Sequence, residues 1–262
     1  MITDNNISIS FPQEIYCADI LYKFASNDRQ NNNNVYFNNL TSQNYFVNIQ
    51  NKKYSKLYSF LIKCIEISTK TLHNQNSFFI LKLFSNYNSQ WKLCVFNNIM
   101  FNCPFTLSDV IFIPLNYLST SYKNNNYNIF SNTLVHEKIH IIQRLNLNKW
   151  INIINLSFKK WVLIKNNTPI YNYLINYNFK KKDMTRILNP DVTYDFLYLY
   201  TINDKYYYGF FNADNSNNIT IVWFQLNNIN NNLNLIQSFD SNLPKEEHPF
   251  EMFAYKFADF LL

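Results

Sequence analysis

Glycine is almost absent from this chain, and Gly209 is the only one in 262 residues. Backbone positions with positive φ, which glycine adopts most easily, must therefore be occupied by Asn or Asp, the next most tolerant residues. Asn, Ile, Lys, Phe and Tyr are used heavily instead. Because the codons of these residues are AU-rich, the composition indicates an AT-rich genome, and an origin in a virus or an intracellular parasite would fit it.

Cysteine and long apolar runs are scarce as well. The four cysteines are Cys17, Cys64, Cys94 and Cys103, and no two of them form a CxxC pair, which excludes a zinc ribbon. Their wide spacing is typical of reduced, buried thiols. No stretch approaches the ~20 apolar residues that span a bilayer, and the first residues do not resemble a signal peptide. We therefore expect a soluble, intracellular, cytoplasmic protein with no membrane span.

Charged residues are few, and their balance is modestly basic. The net charge is +6 at pH 7, and the densest basic run is Lys180–Lys182. A nucleic-acid-binding surface would need a basic stripe interleaved with aromatic residues. Here the aromatic residues are spread along the whole chain, so we interpret the lysine run as a solvated loop. Nucleic-acid binding is consequently the least favoured of the functions considered.

Apolar patterning predicts an α+β fold without internal repeats. The predicted helices are Ser55–Ser68, Asn132–Leu145, Asn148–Ile164 and Pro249–Leu261. The predicted strands are Ser77–Phe84, Trp91–Phe96, Asp109–Pro114 and a β-meander at about 193–226, made of Thr193–Thr201, Lys205–Phe211 and Ile219–Leu226. Residues 1–54 are polar and Asn-rich, and they read as an N-terminal extension of a domain at residues 55–262.

One short stretch, His136-Glu137-Lys138-Ile139-His140, forms an HExxH motif inside a predicted helix. Residues four apart leave the same face of a helix one turn apart, so both imidazoles can bind one Zn²⁺ ion. Glu137 follows by about 100° of rotation, which puts its carboxylate beside the metal, where a general base is needed. The alternative is a solvated His/Glu cluster, but the apolar surface of this helix favours a buried metal site.

A third ligand is needed, because catalytic zinc sites use three protein ligands and leave the fourth position to water. Residue 146 is Asn and the motif holds no glycine, which excludes the HExxHxxGxxH ligand set. A distal carboxylate remains. Glu251 is the first choice, since it lies in the first turn of the last predicted helix beside the small residues Ala254 and Ala258. His248 and carboxylates other than Glu251 remain alternatives for the third ligand.

Two motifs together carry a resemblance to a known family. His136-Glu137-x-x-His140-x-x-Gln143, followed by His248-Pro249-Phe250-Glu251-x-x-Ala254-Tyr255, resembles the gluzincin class of zinc metallopeptidases, in particular its small members. The resemblance implies a zincin-like core of an active-site helix, a small mixed or antiparallel sheet and a C-terminal ligand helix. Residues 55–262 would be this catalytic domain, and the N-terminal part an α+β extension. Glu251 would be the third zinc ligand.

The implied activity is hydrolysis of a peptide or protein substrate with one catalytic Zn²⁺ and Glu137 as general base. In related enzymes a Tyr or His stabilises the transition state. The candidates for that role here are His248, Tyr194, Tyr198 and Tyr200. Thermolysin-like enzymes carry an Asp four residues after the ligand Glu, where this chain has Tyr255. Tyr255 and Asp259 are therefore the candidates for contacting and orienting the zinc-binding histidines without binding the metal themselves.

The first rival hypothesis is a catalytically silent zincin-like scaffold, such as a pseudo-enzyme or a virion structural protein. The complete HExxH motif argues against it, because a scaffold has no need of Glu137. The second rival is a basic interaction protein that binds nucleic acid. Steeply salt-dependent binding that ignores chelators would favour that second reading.

Overall fold

The computed structural model describes residues 7–13, 15–21, 45–74, 90–97, 103–180, 191, 196–213, 219–229 and 232–261. Within these ranges the chain is mixed α+β, with two separate sheets. None of the helices in the described ranges is long and apolar enough to cross a membrane. The chain divides into two compact units, and the divisions fall after Ile142 and after Phe253.

A four-stranded mixed sheet forms the centre of the first unit, in the order β1-β2-β4-β3. Its strands are β1 (Ser8–Ser10), β2 (Gln90–Phe96), β3 (Phe105–Leu107) and β4 (Val110–Pro114). The β1–β2 and β2–β4 pairs are parallel, whereas β3 runs antiparallel along the edge. All five residues of β4 are buried, as is usual for a strand covered on both faces.

Three labelled helices accompany this sheet: α1 (Ser55–Asn74), α2 (Leu115–Lys123) and α3 (Tyr127–Leu145). Helix α3 carries the HExxH motif and crosses the first division of the chain near its end. Small polar residues let α1 and α3 approach closely. Ser68 Oγ donates to the carbonyl of Ser131 at 3.0 Å, and Ser131 Oγ donates to the carbonyl of Cys64 at 3.2 Å. These buried hydrogen bonds fix the register of α3 against α1.

A five-stranded antiparallel meander dominates the second unit, in sequential order β5 to β9. Its strands are β5 (Trp161–Lys165), β6 (Phe196–Ile202), β7 (Lys205–Ala213), β8 (Ile219–Ile229) and β9 (Asn232–Ser238). Two helices belong to this part of the chain, α4 (Leu147–Ser157) and α5 (Pro169–Lys180). One face of the meander forms an apolar core with α5, in which Leu174 is fully buried. The other face is rich in Trp and Tyr.

The last helix, α6 (Pro249–Leu261), begins in the second unit and ends in the first. Pro249 occupies its first helical position, where the missing N–H costs nothing. A continuous apolar face runs along it, on which Phe250, Ala254 and Ala258 are buried. The predicted bounds of this helix are confirmed.

Asn and Asp do occupy most of the positive-φ positions that the lack of glycine leaves to other residues. Among the described residues these are Asn125, Asn167, Asn203, Asp204 and Ser108. Asn203 and Asp204 link β6 to β7 with φ of 48° and 61°. Positive φ at both central residues is typical of the two-residue hairpin turn that matches strand twist. The Asn203-Asp204 pair between two predicted strands also predicts a turn from the sequence, and this prediction is confirmed.

Several predicted elements are confirmed, and others need correction. Helix α3 starts earlier than expected, at Tyr127, and α1 runs on to Asn74. The predicted helix Asn148–Ile164 is wrong in its second half, because the chain turns after α4 and Trp161–Lys165 is strand β5. A Trp-Val-Leu-Ile run suits a strand at least as well as a helix, and pairing with β6 decides the outcome.

The Asn-rich stretch Asn227–Asn234 predicts a turn, but the turn between the strands is shorter than this stretch. Strand β8 continues to Ile229 and β9 begins at Asn232, so the meander has a further strand that the Asn-rich sequence did not reveal. Ser77–Phe84 and Trp91–Phe96 are predicted as two strands joined by a turn at Asn86-Tyr87-Asn88, and the first of them lies outside the described residues. The second strand, β2, pairs in parallel with β1 and β4. The proposed division into residues 1–54 and 55–262 stays a prediction.

The four cysteines form no disulfide, as the sequence predicts, but they differ in exposure. Cys17, Cys64 and Cys94 are buried, whereas Cys103 is exposed. Burial raises the pKa of Cys64 to about 11. Because the thiolate is the reactive form, we expect Cys103 alone to react rapidly with a disulfide reagent at pH 8. The native protein should titrate one fast thiol and the unfolded protein four; a Cys103→Ser variant that keeps the fast phase would contradict the assignment.

Candidate metal centre

Helix α3 brings the two histidines of the motif together, and both are buried. His136, Glu137 and His140 are 7%, 3% and 0% exposed. The two imidazoles meet edge to face, with ring centroids 4.6 Å apart and their Nε2 atoms 3.0 Å apart. Nitrogen atoms at this separation either share a proton or surround a cation. The helical spacing of the motif thus produces the convergence expected from the sequence.

Lys138 lies on the other side of α3 and fixes this helix to the mixed sheet. Its buried Nζ donates to the carbonyl of Gln90 and lies 5.2 Å from the centre of the Trp91 ring. Burial lowers the pKa of this amine to about 8. A buried ammonium is tolerated only with such partners. The partners of Lys138 lie almost fifty residues away in the chain, so no local sequence pattern identifies this role.

The start of α6 is capped by a histidine. The backbone N–H of Phe250 donates to Nδ1 of His248 at 3.1 Å, and the N–H of Met252 donates to the carbonyl of His248 at 3.2 Å. His248 is therefore the N-cap of α6. With Nδ1 accepting, the neutral ring carries its proton on Nε2. Glu251 follows in the first turn, where the helix dipole favours a carboxylate.

Two contacts hold α6 against α3. Within the second unit, Nε2 of the fully buried Gln143 donates to the carbonyl of Phe250 at 3.2 Å. Within the first unit, the ring of Tyr255 packs on the ring of His136 with centroids 4.3 Å apart. Phe250 and Tyr255, the two residues of α6 that make these contacts, lie on either side of Glu251 in the sequence.

The result is a buried His-His-Glu group that could hold a metal ion. One ligand atom from each of His136, His140 and Glu251 lies within 4.8 Å of the others. Ligand atoms bound to a tetrahedral ion at about 2.0–2.1 Å lie about 3.3 Å from one another, so the three ligand atoms would have to approach by up to about 1.5 Å to hold one ion. The donor set, two imidazoles and one carboxylate, is suited to a transition metal.

Of the remaining predicted site residues, some contact His248 or His136, and others lie outside the described residues. Tyr198 is buried, and its ring meets the ring of His248 edge to face at 5.1 Å. Tyr200 lies two residues further along the same strand, and its ring packs against Trp161 and Trp223. Tyr255 is half exposed and contacts His136, as a residue supporting the histidine would. Tyr194 lies outside the described residues, as does the side chain of Asp259, which belongs to α6.

Comparison of the chain with protein-family models, with curated proteins and with solved structures gives no significant match. The geometry of the His-His-Glu group and the two sequence motifs therefore carry the functional argument by themselves.

Replacing Gln143 should loosen the contact between α3 and α6. Gln143→Leu keeps most of the side-chain volume but removes the donor to the Phe250 carbonyl, and lost hydrogen bonds of this kind cost about 1 kcal/mol. We expect urea unfolding to show that loss. Gln50→Leu, at an exposed position, is the matched control and should change stability by less than about 0.5 kcal/mol. Equal stability of the two variants would contradict a structural role for Gln143.

Proposed function

We propose that the chain is a zinc-dependent metallopeptidase of the gluzincin type, in which His136, His140 and Glu251 hold one Zn²⁺ ion. The observation that supports this proposal most is the convergence of Glu251 on the HExxH pair across more than a hundred residues of sequence. Two imidazoles and one carboxylate are a familiar ligand set of catalytic zinc, and they leave a fourth position for water.

Glu137 is the general base of the proposed reaction. When bound, zinc would lower the pKa of a water molecule and polarise the carbonyl of the scissile bond. Glu137 follows the first ligand by about 100° of helix rotation, which directs its carboxylate beside the metal group. It would accept a proton from the attacking water and deliver it to the leaving amine, so that one water is consumed for each peptide bond cleaved. Its burial among apolar residues suits a proton carrier shielded from solvent.

Hydrogen-bond donors are needed for the oxyanion that develops during the attack. His248 and Tyr198 are the best supported candidates, because both side chains are buried and their rings are in contact. His248 lies three residues before Glu251, and Tyr198 packs against His248. Burial raises the pKa of Tyr198, which keeps its phenol protonated and able to donate. Tyr200 is less favoured, since its ring packs between Trp161 and Trp223.

The architecture around the group supports a zincin-like core. A helix carrying HExxH, a mixed sheet with an antiparallel edge strand and a C-terminal helix carrying the carboxylate are all present. An edge strand such as β3 offers backbone groups to an extended peptide, which suits a peptide or protein substrate.

A metal-stabilised scaffold without catalysis is the second candidate. The deep burial of His140 and Glu137 favours it, because structural zinc sites are closed whereas catalytic sites keep an open position. The two candidates make different demands on Glu137, which only the peptidase needs.

Zinc loading and peptide cleavage test the proposal together. We expect the purified protein to bind one zinc ion and to cleave members of a mixed peptide library. A chelator should stop the cleavage, and added zinc should restore it. Stoichiometric zinc with no cleavage of any peptide would support the scaffold. Absence of zinc binding would reject both candidates.

A further inference from the structure

The segment that leads into α6 lies across three adjacent strands of the meander. On β8, Nε1 of Trp223 donates to the carbonyl of Pro244 at 3.1 Å. On β7, Gly209 lies against the backbone of Glu247. On β6, the ring of Tyr198 meets the ring of His248. Because side chains alternate along a strand, these three residues belong to the Trp- and Tyr-rich face, opposite the apolar core with α5.

The contact at Gly209 leaves no space for a side chain. A Cβ atom placed on this residue would lie 2.7 Å from Cβ of Glu247, 3.1 Å from its Cα and 3.2 Å from the Trp223 ring. Two of these three neighbours belong to one residue of the segment, and the third is a large buried ring. Glycine in a strand interior often marks the close approach of another backbone. In this chain the only glycine occupies that position.

Displacement at Glu247 would pass directly to the metal group. Glu247 precedes His248, the N-cap of α6, and Glu251 lies in the first helical turn. A helix turn is stiff, so a shift of its cap moves the first-turn carboxylate with it. Metal ligands tolerate little displacement, because productive ligand positions vary by about 0.5 Å.

We propose that the meander is a positioning element for the metal ligand Glu251 and that Gly209 is the positioning residue that makes it possible. The inference rests on the proposed metal centre and adds a regulatory consequence to it. Metal binding and docking of residues 244–248 on the meander are then thermodynamically linked, so each strengthens the other. Zinc should protect the meander from local unfolding, although no meander residue ligates the ion.

Zinc affinity of a Gly209→Ala variant tests the inference. The added Cβ should raise the zinc dissociation constant at least tenfold and change the d–d absorption spectrum of the cobalt-substituted protein, which reports ligand geometry. Glu247→Gly removes the Cβ atom nearest to the added methyl. The double variant Gly209→Ala/Glu247→Gly should therefore recover most of the affinity and the original spectrum.

Leu235→Val is the matched control, because Leu235 lies on the opposite, apolar face of the same sheet. It should lower the Tm and leave the zinc affinity and the cobalt spectrum unchanged. If it weakens zinc as much as Gly209→Ala does, the effect is general destabilisation and the inference fails. It also fails if Gly209→Ala binds zinc normally or if Glu247→Gly gives no recovery. Wild-type protein that binds no zinc would instead refute the proposed function.

Trp223→Phe keeps the test decisive if Gly209→Ala does not fold. This variant retains an aromatic ring and removes the N–H that donates to the Pro244 carbonyl. We expect zinc affinity to fall about threefold and hydrogen exchange in β7 and β8 to lose part of its zinc-dependent protection. Protection that is the same with and without zinc in the wild-type protein would overturn the linkage.

Discussion

Glu137→Gln is expected to retain the metal and to lose peptide hydrolysis by about 10³-fold or more. Glutamine keeps the volume and the hydrogen-bonding geometry of the buried side chain but cannot accept a proton from water. Since Glu137 is not one of the three residues of the metal group, the zinc dissociation constant should stay within about threefold of the wild-type value. Initial rates of peptide cleavage and zinc titration measure the two effects separately.

Glu66→Gln on helix α1 is the matched control, because Glu66 is exposed and makes the same change of charge. It should leave cleavage unchanged. Cleavage by Glu137→Gln at the wild-type rate would contradict the general-base role while leaving the metal site intact. Loss of zinc in the same variant would instead indicate that Glu137 is a ligand.

His140→Ala and Glu251→Ala are each expected to abolish zinc binding at micromolar zinc. Each variant leaves only two ligands, and two ligands from one chain hold zinc weakly. Metal analysis after dialysis, together with the zinc-dependent increase in Tm, measures the loss.

Two controls match these variants. His73→Ala removes a histidine that is not among the three proposed ligands, and Glu246→Ala removes a carboxylate just before α6. Both should retain one zinc ion. If Glu251→Ala keeps zinc and Glu246→Ala loses it, the distal ligand has been misassigned and His-His-Glu chemistry remains. If His140→Ala keeps zinc and His73→Ala loses it, the HExxH pair is not the centre.

Local sequence patterns predicted the elements that carry the site. The apolar face from Phe250 to Leu261, with Pro249 at its start, defines α6 because a long periodic segment and a helix-start residue agree. The four-residue spacing in the HExxH motif sets the two imidazoles on one face of α3, whatever the rest of the fold does. Predictions of this kind need only the geometry of one helix.

Features that depend on distant pairing were missed or wrong. Trp161 to Lys165 satisfies both helical and strand periodicity, and only pairing with β6 makes it a strand. Strand β9 is hidden in Asn-rich sequence and exists because β8 offers it an edge. Gly209 and Lys138 acquire their roles from partners that no local pattern identifies. The scarcity of glycine was visible from the start, but the reason to keep one at position 209 was not.

X-ray absorption at the zinc edge of the zinc-loaded protein tests the central claim most directly. We predict a four-coordinate ion with two imidazole nitrogens at about 2.0–2.1 Å and oxygen donors in the other positions. In Glu251→Ala at saturating zinc, the imidazole scattering should persist while one carboxylate oxygen is lost. A spectrum with fewer than two imidazoles or with sulfur ligands would contradict the account.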